Sequence, residues 1–171
     1  IISRSDSTLR GHYPTETQVI YDVLKQNHIH IDGEILCPYL DGIRRTENDI
    51  HYVLVNDVWV PVGKTEFAKD KTFSFQSSNL KEYVEEKTNQ AYLASSCICL
   101  AIADLQDESL VVSKLNSVSG FSFIYFPILS QFSNIFSLYL STACFSCFCG
   151  LEYVFKVSFL LKVYHWYQTY A

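Results

Sequence analysis

The chain's most chemically capable residues lie close together near its start, in Ser5-Asp6-Ser7-Thr8-Leu9-Arg10-Gly11-His12. Asp6 can accept from hydroxyls, Ser7 and Thr8 can both donate and accept, and Arg10 offers a planar fork to a carboxylate. Gly11 lets backbone amides approach a ligand closely. This set suits an anionic, hydroxylated ligand. The same residues also make an ordinary polar turn in which Asp6 or Ser7 bonds its own backbone. Ile1-Ile2 ahead of it read as the end of a buried strand. A helix is expected from Thr15 to Gln26, with Pro14 and Glu16 at its first turn and Val19, Ile20, Val23 and Leu24 as its apolar face. The octapeptide thus fills a strand-to-helix junction, the place where open α/β folds bind ligands.

A second charged group lies in Tyr39 to Asn48, read as a loop after the short buried strand Glu34-Ile35-Leu36-Cys37 and Pro38. Its adjacent arginines, Arg44 and Arg45, suit a carboxylate or a phosphate, although charge runs of this kind are usually solvated salt-bridged loops. His51–Val55 and Val58–Val62 flank Asn56-Asp57, a two-residue hairpin signal. His51 at the hairpin's entry is read as a hydrogen-bonded structural histidine rather than a base. Phe67 anchors the polar stretch Gly63 to Asp70. Asn79 with Glu82 three residues on predicts a capped helix whose inner stripe is Leu80, Tyr83, Val84 and Lys87, with Glu85-Glu86 solvated outside. Cys97 to Ile102 reads as a buried strand, followed by a loop and helix over Asp104 to Leu115.

No metal site emerges from these patterns. His28-Ile29-His30 lacks a third ligand, Cys97-x-Cys99 lacks two, and Cys144-x-x-Cys147-x-Cys149 has no partner pair. Loop, core packing and an uncharged tail explain them more simply.

Composition narrows the class. At 171 residues the chain is long enough for one domain with a real core. A formal charge of −5 gives no electrostatic case for nucleic acid or an anionic membrane surface. There is no methionine, even at position 1, which points to a fragment, and no signal peptide precedes the first strand. Six cysteines without the spacing of a disulfide framework fit a reducing, cytoplasmic setting.

From Leu115 to Leu151 no residue is charged. A membrane helix near Phe121–Phe148 is long enough on paper, but Pro127, Gln131, Asn134 and many serines weigh against it. Phe, Ser, Tyr, Cys, Leu and Trp all have codons beginning with T, so the favoured reading is translated T-rich DNA from read-through or a frameshift. The division is therefore 1–115 as domain and 116–171 as a hydrophobic tail outside it, with membrane contact by the tail the less favoured reading.

Three ordered blocks resemble the N-terminal domain of the four-carbon acid sugar kinases, ATP-dependent enzymes acting on threonate, erythronate and 3-oxo relatives. Arg4 to His12 fits the family pattern K/R-x-D-S-T-L-R-G-N/H. Gly42 to Tyr52 is similar to G-G-R-F/Y-T-x-N-D-x-H-Y, with Ile43 in place of the second glycine and Arg45 in the aromatic position. Pro61 to Leu80 is similar to P-x-G-E-T-E-F-A-x-D-x-x-F-G-F/Y-x-S-S-N-L, with Lys64 for the acid and Ser74 for the glycine.

The resemblance implies an α/β fold, a three-layer domain with a mostly parallel sheet and an inserted β-hairpin, incomplete in this chain. It implies that Arg4, Asp6, Ser7, Arg10 and Arg44 line a small-molecule sugar-acid site, with Asp6 also the catalytic residue that orients the attacking hydroxyl as a general base does. ATP and Mg²⁺ would be held by a Gly-rich C-terminal domain. Only six glycines occur in the chain, and no G-x-x-x-x-G-K-S/T loop or opening D-D-x-T-G segment, so no kinase activity is expected from the chain alone. The rival reading is a non-enzymatic remnant, or a membrane-tethered product of a degenerate gene. A dinucleotide-dependent oxidoreductase is disfavoured because no G-x-G-x-x-G turn occurs.

Overall fold

A computed structural model of the chain describes residues 2–4, 6–40, 42–101, 103–118, 122–125 and 159–163. The fold is mixed α/β. Strand β1 (Ile2–Arg4) leads through the octapeptide to helix α1 (Thr15–Gln26), and β2 (Gly33–Cys37) follows. A three-stranded antiparallel sheet comes next, formed by β3 (Arg44–Glu47), β4 (Ile50–Val55) and β5 (Val58–Pro61) in that order. Two short 3₁₀ turns, Val62–Lys64 and Glu66–Lys69, precede helix α2 (Leu80–Lys87). Strand β6 (Ile98–Cys99) and helix α3 (Glu108–Asn116) follow, then β7 (Ser122–Tyr125) and β8 (Phe159–Val163).

The second sheet runs β1-β8-β2-β7-β6, each neighbouring pair parallel. Two of its strands, β7 and β8, come from beyond Leu115. Arg4 and Cys37 both stand opposite Val163, so β1 and β2 end level with one another. The segments leaving these two strands therefore start from the same, carboxyl edge of the sheet. That edge is where Asp6 and, across the next connection, Arg44 begin.

Local chemistry accounts for the elements. The hairpin turns on Asn56 and Asp57, with φ of 48° and 60°, the left-handed pair that a two-residue turn needs to match strand twist. Asn79 caps α2, its side chain accepting from the amides of Lys81 and Glu82. Glu82 completes the cap indirectly. Its carboxylate accepts from the Ser77 hydroxyl at 2.7 Å, and Ser77 Oγ accepts from the Asn79 amide at 3.0 Å. The core gathers Leu9, Tyr13, Leu36, Val53, Val62, Phe75, Leu80, Tyr83 and Val84. Leu9 and Tyr13 draw the octapeptide region into that core rather than leaving it on the surface.

Four expectations are corrected. Residues 44–47 form a strand, not loop, because their backbone pairs with residues 50–53; the charges stand on an edge strand and hide its period. On α1, Val19 and Val23 are 56% and 50% exposed, while Thr17 is buried and Ile20, Tyr21 and Leu24 pack on the core. Glu85 and Glu86 are not merely solvated. Glu86 accepts from the amides of Gln76 and Ser77 at 2.9 and 3.1 Å, and Glu85 from that of Ala94 at 2.6 Å, so both carboxylates cap loop backbone. The strand expected over Cys97–Ile102 spans only Ile98–Cys99 among the described residues. The expected features near Phe121–Phe148 other than β7, including the cysteine triplet, lie outside the described residues.

Candidate functional site

The octapeptide is folded around Asp6. Its Oδ1 accepts from the Thr8 amide at 3.0 Å, and its Oδ2 accepts from the Thr8 hydroxyl at 2.6 Å and Arg10 Nε at 2.8 Å. A second Arg10 nitrogen, Nη2, bonds the same Oδ2. Burial raises the Asp6 carboxyl, but these bonds from Thr8 and Arg10 outweigh it and hold the pKa below the ordinary carboxylate value. Asp6 is thus a poor proton acceptor and a good hydrogen-bond acceptor. Oδ1, with a single partner in this set, keeps capacity for a ligand hydroxyl.

Arg10 is fixed on three sides. Besides Asp6 it bonds Thr8 Oγ1 at 2.9 Å, lies 5.0 Å from the Phe67 ring centre, and stands 3.9 Å from Asp70. Asp70 is itself held ionised by the amides of Thr72 and Phe73, which lower its pKa. Arg44 comes to the same ring from β3, 5.6 Å from the Phe67 centre. Burial lowers the Arg44 pKa, the Asp6 charge acts to raise it, and the Arg10 charge lowers it again. Asp6, Arg10 and Arg44 therefore feel one another electrostatically. Arg44 Nη1 donates to the carbonyl of Ile43 at 2.7 Å, while its Nε is buried with no hydrogen-bond partner among the described residues. No carboxylate among the described residues pairs with it. Asp6 offsets the cost of this half-buried guanidinium only from a distance, and a ligand anion bonded to it would offset it further.

Arg45, the next residue, is turned elsewhere. It stacks on Trp59 at 4.3 Å and on Tyr52 at 5.8 Å, and pairs with Glu47 at 3.4 Å. Ser7 is buried, and its carbonyl accepts from His51 Nε2 at 2.8 Å. Arg4 ends β1, and its side chain lies outside the described residues. His51 is fully buried, with the Thr46 hydroxyl 3.0 Å from its Nδ1. Burial pushes its pKa down to about 4, the bond to Ser7 works against that, and the nearby Arg44 charge adds to it. A neutral, doubly engaged ring is a structural histidine. His28 and His30 sit in an exposed connection, where His30 pairs with Asp32.

Residues 1–117 match the family described as the sugar-binding N-terminal domain. The chain belongs to that family. This agrees with the resemblance carried by the three motif blocks. No curated protein and no solved structure matches the chain. Two guanidinium groups over one aromatic ring, one of them bonded to the Asp6 carboxylate, offer both charge and hydrogen-bond acceptors to a hydroxylated anion.

Sequence reasoning did not include Phe67 and Asp70 among the site residues. Both fall in the third motif block, at its F-A-x-D positions, and that spacing was the available signal. The described residues contain no group of three or more His, Cys, Asp or Glu side chains able to hold a metal ion, and no Gly-rich phosphate cradle. No helix among them is long and apolar enough to cross a membrane.

Proposed function

We propose that this chain supplies the acid-binding part of an ATP-dependent kinase that phosphorylates a four-carbon sugar acid: threonate, erythronate or 3-oxo-tetronate. The observation that carries this reading is the half-buried Arg44 guanidinium, which has no carboxylate partner among the described residues and stands beside Arg10 and Asp6. Arg44 and Arg10 would take the substrate carboxylate, and Arg4 and Ser7 belong to the same lining by family analogy. Asp6 would accept a hydrogen bond from a substrate hydroxyl and aim it, a positioning role that phosphoryl transfer relies on heavily.

ATP and Mg²⁺ are assigned in this reading to a separate Gly-rich domain, so the chain alone binds acid without transferring phosphate. The scaffold we propose is three-layered around the parallel sheet, with residues 1–115 carrying the sugar-acid site, the low-charge segment 116–171 supplying the sheet strands β7 and β8, and a cytoplasmic setting. Thermal unfolding of the full chain tests the reading. A rise in Tm with one of the three acids, but not with the uncharged polyol erythritol, is expected. A cooperative transition that none of the acids moves would overturn it.

A further inference from the structure

We infer that His51 and Tyr83 are positioning residues that set the shape of the Asp6–Gly11 loop; their importance for binding rests on the sugar-acid reading above. Neither belongs to the charged cluster around Phe67. Each instead holds one backbone carbonyl of the loop. His51 Nε2 lies 2.8 Å from the Ser7 carbonyl, 44 residues away in sequence, and the Tyr83 hydroxyl lies 3.0 Å from the Leu9 carbonyl, 74 residues away. A carbonyl only accepts, so His51 carries its proton on Nε2, and a neutral ring then accepts from Thr46 at Nδ1.

The loop needs such support. Leu9 has φ of 67°, in the left-handed region that a branched, non-glycine residue adopts only when its surroundings enforce it. The Leu9 amide turns back to the Asp6 carbonyl at 3.0 Å, which closes the turn. Between the two held carbonyls sits Thr8, whose amide and hydroxyl grip Asp6 and whose oxygen also receives Arg10. The orientation of Asp6 and Arg10 is therefore inherited from two buried contacts behind the loop.

The clamps are rigidly mounted. Tyr83 stacks on Tyr13 at 5.6 Å and takes the edge-on contact of Phe75 at 5.6 Å. The backbones that carry the two clamps are tied together, since the His51 amide donates to the Ser78 carbonyl at 2.8 Å and the Leu80 amide to that of Asp49 at 2.9 Å.

The test is amide hydrogen exchange on the full chain, with calorimetric binding of D-erythronate and D-threonate beside it. Tyr83→Phe keeps the packed ring and removes the hydroxyl that donates to the Leu9 carbonyl. Exchange at the Thr8 and Leu9 amides should quicken about ten-fold, with protection in β4 and β5 unchanged, and acid affinity should weaken about ten-fold. His51→Leu should do the same. His51→Gln, which can still donate, should restore part of the loop's protection. Unchanged loop exchange in both Tyr83→Phe and His51→Leu overturns the inference, even if the unmodified chain binds an acid. Faster loop exchange in a chain that binds neither acid upholds the clamp and removes the sugar-acid reading instead. Faster exchange with undiminished affinity overturns the importance of the clamp for binding.

Discussion

Arg44 and Arg45 are consecutive on β3 and serve different neighbours: Arg44 stands against Phe67 at 5.6 Å, Arg45 against Trp59 at 4.3 Å. Strand alternation sends successive side chains to opposite faces, so two residues that read as one basic pair are divided between the candidate site and the hairpin. Arg44→Ala should weaken sugar-acid binding by about ten-fold or more, the scale of a lost charge-assisted bond. Arg45→Ala should leave binding within about two-fold, since its stacked position is remote from Phe67. Calorimetric titration of both variants with the same acid separates them, and equal losses would contradict the division.

Arg10 illustrates why fork geometry matters. Its Nε and Nη2 both reach Asp6 Oδ2, while its guanidinium carbon lies 5.0 Å from the centre of the Phe67 ring. A lysine carries the charge but neither the fork nor the stacking plane. Arg10→Lys is expected to cut affinity about ten-fold while shifting Tm little, because the pair is partly solvent-exposed. A lysine variant that binds as well as the original would show that charge alone is used.

His51 gives stability a pH dependence of known sign. Burial leaves the folded-state pKa at about 4, below the ordinary 6.5. As pH falls through about 6.5 the unfolded chain takes up a proton that the folded chain refuses until near 4, so stability drops across that window. The His51 share of the loss is about 3 kcal/mol. Denaturant unfolding at pH 7 and pH 4.5 should show a clearly smaller drop in His51→Gln than in the unmodified chain. Identical drops would mean that His51 titrates normally.

Gly63 is required by space rather than by backbone angle. A Cβ there would stand 2.3 Å from the Gln76 carbonyl oxygen and 2.9 Å from Ser78 Oγ, and the first of these is backbone that cannot swing aside. The Gly63 amide also donates to Ser78 Oγ at 2.8 Å, which a displaced chain would stretch. Gly63→Ala should destabilise by about 1–3 kcal/mol in denaturant unfolding. Unchanged stability would mean that the 76–78 segment yields easily.

Features governed by neighbours in sequence were the legible ones. Asn56-Asp57 announces its turn because both residues tolerate positive φ, and Asn79 announces a helix start because its side chain reaches the next amides. The octapeptide's polar content was readable, as was the presence of Arg44 near it through the motif blocks. Contacts between distant residues were not. Nothing near Tyr83 signals that its hydroxyl serves the Leu9 carbonyl, and an apolar stripe on α1 that included Val19 and Val23 ignored which side the core lies on. Glu85 and Glu86 read as solvent-facing because their partners are loop amides, which carry no side-chain signature.

The central claim is that Asp6, Arg10 and Arg44 form a receptor for a four-carbon sugar acid, and one titration tests it most directly. The full, unmodified chain is titrated calorimetrically with D-erythronate and D-threonate, and with erythritol, which has the hydroxyls but no carboxylate. The account predicts saturable heat from at least one acid, weakening as salt is raised, and none from erythritol. Erythritol binding as tightly as the acids, or a folded chain that binds none of the three, would contradict it.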